Sequence, residues 1–182
     1  FEDLINKITN QSDMFIKKMH DGKNYWNNDE LEEYMKFNAV VGNPPYQKVL
    51  EGTNRYNSLY HYFIDIAKLL KPNYFSLITP SRWMTRGAQG ISDKWIDEML
   101  ATKHMILIHD YLNASDCFEG VEIKGGVNYF LYSDSYEGKC HHFIHNNGCV
   151  EDKFEYLNNG NIGVIIRDTV AQTILSKVIS FL

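Results

Sequence analysis

The chain has 182 residues, 44% apolar and 23% charged, with 12 Tyr, 10 Phe and 3 Trp. That is enough for one domain, or one with an appendage, to bury roughly 70% of its unfolded surface without a disulfide or metal staple. Three cysteines, no apolar run near the ~20 residues of a membrane span, and an acidic, polar opening (FEDLINKITNQSD) argue against a disulfide scaffold, a membrane protein or a secreted one. They lead to the expectation of a reducing, cytoplasmic compartment.

The net charge of −5 is unevenly spread. Residues 1–36 carry 5 basic and 8 acidic side chains, residues 95–182 carry 6 and 12, and residues 37–94 carry 7 and 3. A phosphate-facing surface is expected in that middle stretch. A solvated basic face with no partner accounts for the same arithmetic.

In chain order, Leu4, Ile5, Ile8, Phe15, Ile16 and Met19 fall at loose helical spacing over residues 1–21. Residues 28–35 read as a short helix capped by Asn28 or Asp29. Phe37 to Gly42 (FNAVVG) is an apolar run of the kind that fills a buried parallel strand, and Pro44 and Pro45 stop it. A helix is predicted over 58–70, ending at Lys71-Pro72, then a buried strand over 74–79. A helix over 91–102, a strand over 105–109 and a strand over 126–132 led by two glycines follow. This alternation predicts a parallel sheet with helices on its faces. Residues 139–144 and 164–166 read as strands around an Asn/Gly-rich loop, and 168–182 as a helix capped by Asp168.

Asn43-Pro44-Pro45-Tyr46 is the most informative segment. Such a run is expected by chance in on the order of one chain in a thousand of this length, and it directly follows a predicted strand, where open α/β sheets bind ligands. The prolines hold Asn43 extended. They set its side-chain oxygen beside the Pro44 carbonyl, with an aromatic ring just beyond. Two acceptors and a ring suit a planar base bearing an exocyclic amine. That nitrogen is a poor nucleophile because its lone pair is delocalised into the ring. Hydrogen bonds accepted from its N–H groups favour a tetrahedral nitrogen, and they accelerate attack insofar as they strengthen while charge develops. Stacking on Tyr46 is worth ~1–3 kcal/mol. The plainer reading is a Pro-rich strand-to-helix turn with Asn43 as a local cap.

Phe37 to Tyr46 (FNAVVGNPPY) resembles the catalytic motif of AdoMet-dependent N6-adenine DNA methyltransferases. The helix 58–70 and the following KPNYFSLITPSRWM resemble that family's next helix and strand. Residues 115–132 (SDCFEGVEIKGGVNYFLY) resemble the later segment that supplies a second aromatic, with Phe118 at the matching position, and Ile123 to Phe130 (IKGGVNYF) resemble the methylase region of single-chain restriction–modification enzymes. The likeness covers about residues 37–135. It implies the C-terminal half of a Rossmann-like methyltransferase sheet, with helices on both faces and 126–132 as a reversed strand. It also implies S-adenosyl-L-methionine as cofactor, double-stranded DNA as partner, and a target adenine flipped from the duplex. By the same resemblance, Asn43 and the Pro44 carbonyl hold the amino group, Pro45 keeps the turn, and Tyr46 and Phe118 sandwich the ring.

The family's Gly-rich cofactor loop precedes its catalytic motif, whereas here Gly22 is the one glycine before Gly42. Most of the cofactor site is therefore expected in a missing N-terminal part of the same enzyme, and this chain alone is expected to be inactive. Asn38 stands where the family often carries an acid. On this reading 1–36 is a helical lead-in, 37–135 the catalytic portion and 136–182 the start of a following α+β module. Similar motifs occur in methylases of RNA bases and of protein glutamine, and a non-catalytic nucleic-acid-binding or assembly fragment is a further alternative. Phe118 favours a base over an amide.

The remaining candidates are weaker. Ser81, Arg82 and Arg86 are candidate DNA-phosphate contacts. Cys140, His141, His142, His145 and Cys149 fit no common structural-zinc spacing, so no metal is expected. Gly125-Gly126 reads as a bend or bulge, and residues 160–163 (GNIG) as a turn.

Overall fold

The computed structural model describes residues 37–49, 52 and 55–179. The helices expected over 1–21 and 28–35 lie outside the described residues. The strands are β1 (Ala39–Gly42), β2 (Gln47–Val49), β3 (Tyr56–Ser58), β4 (Tyr74–Pro80), β5 (Met105–Tyr111), β6 (Val127–Tyr132), β7 (Cys140–Asn146) and β8 (Cys149–Glu155). The helices are α1 (Tyr60–Leu69), α2 (Asp93–Ala101) and α3 (Thr169–Ile179), with short 3-10 turns at Ser81–Thr85, Ala114–Asp116 and Asn159–Asn161.

Among the described residues, six strands form one mixed sheet in the order β1-β4-β6-β5-β7-β8, and β2 and β3 form a separate hairpin. β1 runs parallel to β4, and β5 parallel to β7. β6 lies antiparallel between β4 and β5, as the expected reversed strand. The link from β5 to β6 contains no crossover helix, so the chain re-enters the sheet from the end it left. β7 and β8 continue the sheet past residue 135. They are joined at Asn147 (φ 50°) and Gly148 (φ 79°), the two left-handed residues of the Asn-Gly hairpin turn.

Strand registers separate the two faces. Phe75, Leu77, Phe130, Tyr132, Ile108 and Cys140 share one face and form a single core with Ile64 and Ala67 of α1 and Ile96, Met99 and Leu100 of α2. There Phe75 stacks on Tyr132 at 4.6 Å and meets Phe130 edge-on. The Trp95 indole N–H of α2 donates to Asp65 of α1 at 2.9 Å. Helices on both faces were expected, but both of these helices pack on the same face. The other carries a ribbon of stacked rings, His109 between Tyr129 and Phe143, Tyr111 on His145, and His141 on Phe154.

Three local expectations are corrected. β1 is not buried: Val41 is 77% exposed, because among the described residues the strand is an edge with β4 as its one neighbour. Residues 164–166 form no strand. Ile165 is buried as part of an irregular strap whose N–H donates to the Met84 carbonyl at 2.8 Å. The strand beside β7 is instead β8, whose polar sequence CVEDKFE hides a strand exposed on much of its surface. α2 starts at Asp93 because the Ser92 hydroxyl caps the Trp95 N–H. Asp168 caps α3 as expected, accepting from Ala171 N–H at 2.7 Å.

Candidate active site

β1, β4 and β5 point the same way, so their carboxyl ends at Gly42, Pro80 and Tyr111 lie along one edge of the sheet, where reversed β6 begins at Val127. Three loops converge there: 43–46, 81–92 and 112–126. They carry Asn43-Pro44-Pro45-Tyr46, Arg82, Arg86 and Phe118, residues far apart in sequence.

The 43–46 segment is irregular, and it leads into strand β2. Asn43 therefore caps no helix, and the plainer reading of the motif lapses. Asn43 and Pro45 are exposed, Pro44 is buried and Tyr46 half-buried. The Tyr46 carbonyl accepts from Leu59 N–H at 2.9 Å, tying the motif to the entry of α1. Its hydroxyl is buried with no hydrogen-bond partner. Burial and then the nearby Cys117 raise its pKa, against a smaller lowering by the Asn43 side chain, which lies close without reaching hydrogen-bond geometry. Cys117 precedes half-buried Phe118, so the loop bearing the second expected aromatic ring comes to the same end of the sheet.

Beside Tyr46 is a cavity of about 430 Å³ whose lining includes Ser58, Tyr60, Arg82, Glu122 and Lys124. Neither Asn43 nor Phe118 lines it. Arg82 packs over Gly125, where an added Cβ would lie 2.7 Å from its Cγ. Arg86 does not face a ligand. Its Nε donates to the Gly163 carbonyl at 2.7 Å and its Nη atoms pair with Asp93 and Asp97, so its expected phosphate contact is replaced by a tether between α2 and the 160–163 turn. Ser81 is likewise fully buried. The local basic excess shrinks further because half-buried Lys68 donates to the Met99 sulfur and Lys94 pairs with Glu98.

A buried polar network stands behind this edge, and the sequence reading missed it. Asp110, fully buried, accepts from Ser81 Oγ at 2.7 Å and from Arg167 Nη2 at 2.8 Å. Arg167 Nη1 also donates to the Gly125 carbonyl at 2.7 Å, and Asn128 donates to Ser81 Oγ at 3.2 Å. His142 Nδ1 donates to the Glu155 carboxylate at 2.8 Å, while its Nε2 lies 3.9 Å from Asp110, too far for a hydrogen bond. Burial pushes the Asp110 carboxyl up, but His142, Arg167 and Ser81 outweigh it and hold the group below its usual range. Burial pushes His142 down, but Asp110 and Glu155 outweigh it and raise it. The available signal was an aspartate in the apolar run MILIHDY, since buried carboxylates are paired. The His and Cys residues of β7 divide between the two faces as their alternation predicts, and no metal-holding group of three occurs among the described residues.

The described residues offer no glycine-rich strand-to-helix loop for a cofactor. Gly160 and Gly163 belong to a turn with φ of 71° at each, and no strand runs into it. The described residues therefore do not fit the bulk of an S-adenosyl-L-methionine site.

Residues 1–118 match the Eco57I restriction-modification methylase family, and the chain belongs to that family. The match reaches back across residues 1–36 and stops at Phe118. An adenine-specific methylase of Mycoplasma pneumoniae, described as uncharacterized, is 32% identical over 147 residues, spanning 72% of this chain and 34% of the relative. The chain thus spans about a third of that relative's length. A modification subunit of a type I restriction enzyme from Vibrio vulnificus superposes with a TM-score of 0.42 at 13% identity, over 63% of this chain and 27% of the other. A structure concerned with assembly of the type I R-M system aligns at the same TM-score and identity, over 79% and 30%. The resemblance carried by FNAVVGNPPY is borne out at the level of the family.

Proposed function

We propose that the longer protein carrying this chain is an adenine-N6 DNA methyltransferase of a restriction–modification system, dependent on S-adenosyl-L-methionine, and that residues 37–135 are its catalytic portion. One observation supports this most: an exposed Asn43 at the carboxyl end of β1, beside the ring of Tyr46 and on the edge to which β5 delivers Phe118. A flipped adenine enters between the Tyr46 and Phe118 rings. The Asn43 Oδ1 and the Pro44 carbonyl accept from its two amino hydrogens. These bonds pull the nitrogen toward tetrahedral geometry and localise its lone pair, and they strengthen as positive charge develops there. The contribution of this chain ends at that activated amine. The methyl donor's seat, and cover for the ring-lined second face of the sheet, belong to the rest of the enzyme. No helix among the described residues is long and apolar enough to cross a membrane, in keeping with a cytoplasmic enzyme acting on DNA.

The test uses the full-length protein with the methyl donor and unmethylated duplex DNA, followed by digestion and mass spectrometry for N6-methyladenine. Its appearance is expected. If the donor binds but the base never appears, RNA or protein amides replace DNA as substrate. If the donor does not bind, a non-catalytic module is the reading that remains.

A further inference from the structure

We propose that the cavity beside Tyr46 is a phosphate seat, which holds a backbone phosphodiester of the DNA strand carrying the target base. This rests on the DNA reading above and shares Tyr46 with it. Three features meet there. The first is the entry of α1. Ser58 and Tyr60, which flank its N-cap Leu59, line the cavity. The helix has no side-chain cap and no acid in its first turn, so the positive end of its dipole is left for an anion.

The second is a pair of orphaned hydroxyls. Tyr60 is 1% exposed, and its hydroxyl has no hydrogen-bond partner, nor does that of Tyr46. Ser58 and the Trp83 backbone lie near Tyr60 without reaching bonding geometry. A buried unpaired hydroxyl is costly to the fold. Burial also raises the pKa of Tyr60, while Arg82 partly lowers it, so both phenols stay neutral donors at physiological pH. The third is charge. Among the described residues of the lining, the cations Arg82 and Lys124 stand against a single carboxylate, Glu122.

Donors and cations in excess suit a phosphate rather than a base. Asn43 and Phe118, which would hold the adenine, lie outside this lining, whereas Tyr46 belongs to both, so the phosphate seat adjoins the base position.

Full-length wild type, Tyr60→Phe and Arg82→Gln are compared for duplex DNA binding over a range of NaCl concentrations, with thermal melting of each protein. Tyr60→Phe is expected to weaken binding roughly tenfold while melting at or above the wild-type temperature, a combination that loss of structure would not produce. Arg82→Gln is expected to flatten the slope of log K against log[salt] by about 0.9, the signature of one phosphate. DNA affinity within twofold of wild type in both variants overturns the seat. If inorganic phosphate raises the melting temperature of wild type but not of Arg82→Gln, while DNA affinity is indifferent to both changes, the site is one for free phosphate and the strand inference falls. If wild type itself neither binds nor methylates DNA, the failure lies with the DNA reading instead.

Discussion

Asn43 separates function from stability at the level of a single residue. It is exposed, caps nothing and lies in an irregular segment, so Asn43→Ala should change folding stability by no more than about 0.5 kcal/mol. Losing one of two acceptors on the reacting amine should lower turnover by roughly 100-fold or more. Turnover of the full-length variant, set beside its melting temperature, checks both halves. Tyr60 shows the converse: its ring belongs to the core, but its hydroxyl is one the fold would be better without. Its buried hydroxyl has no partner, and the sequence pattern alone marked the residue as part of the apolar face of a helix. Arg82 and Arg86, four residues apart and alike in sequence, part ways for a similar reason. The carboxylates of Asp93 and Asp97 and the Gly163 carbonyl take up Arg86, and no sequence spacing announces a partner 77 residues away.

Between elements, the turn into β6 decides whether the site's third loop is in place. Gly126 has φ 81°, and a Cβ there would lie 2.0 Å from the Tyr111 carbonyl oxygen and 3.0 Å from Arg167 Nη2. Gly126→Ala should therefore destabilise the protein by about 3 kcal/mol or more, through both backbone strain and the clash, as read by chemical denaturation. The bend expected from the glycine pair was legible, but its tightness was not, because the atoms it crowds come from β5 and from residue 167. The β7–β8 hairpin is an instructive miss. Asn147-Gly148 is a strong short-range hairpin signal, yet the polar composition of CVEDKFE drew attention away from a strand lying at the sheet edge.

Stability across the whole molecule should respond to pH in a definable window. His61 is 5% exposed, its Nδ1 has no partner, and burial pushes its pKa down to about 4. The fold holds the neutral ring, so its contribution is complete above the unfolded value near 6.5 and is lost as pH falls toward 4. That difference is worth roughly 3 kcal/mol. Asp110, held low, adds a loss at still lower pH. His142, held high, contributes fully below 6.5 and loses its share only as pH rises through its folded value, so it adds no slope between 6.5 and 4. His109 and His145, lowered by burial, act in the same direction, so melting temperatures measured from pH 7 to 4 should fall for wild type and fall less steeply in His61→Leu. An equal fall in the variant would remove His61 as the cause.

The sequence by itself determined the alternation of strands and helices, because periodicity and a Pro-Pro turn after an apolar strand are local properties, while the family and the reversal of strand 126–132 came through resemblance to a known motif. It also brought Asn43, Tyr46 and Phe118 forward as candidates through their resemblance to a known motif. The tertiary structure alone decided which loops share an edge, which arginine is engaged by the fold, that the second face of the sheet carries stacked rings, and that Asp110, Ser81, Asn128 and Arg167 form one buried network. Those outcomes depend on contacts across as many as 77 residues of chain, and on whether a polar atom finds a partner once water is excluded. Neither is a property of any stretch of sequence taken alone.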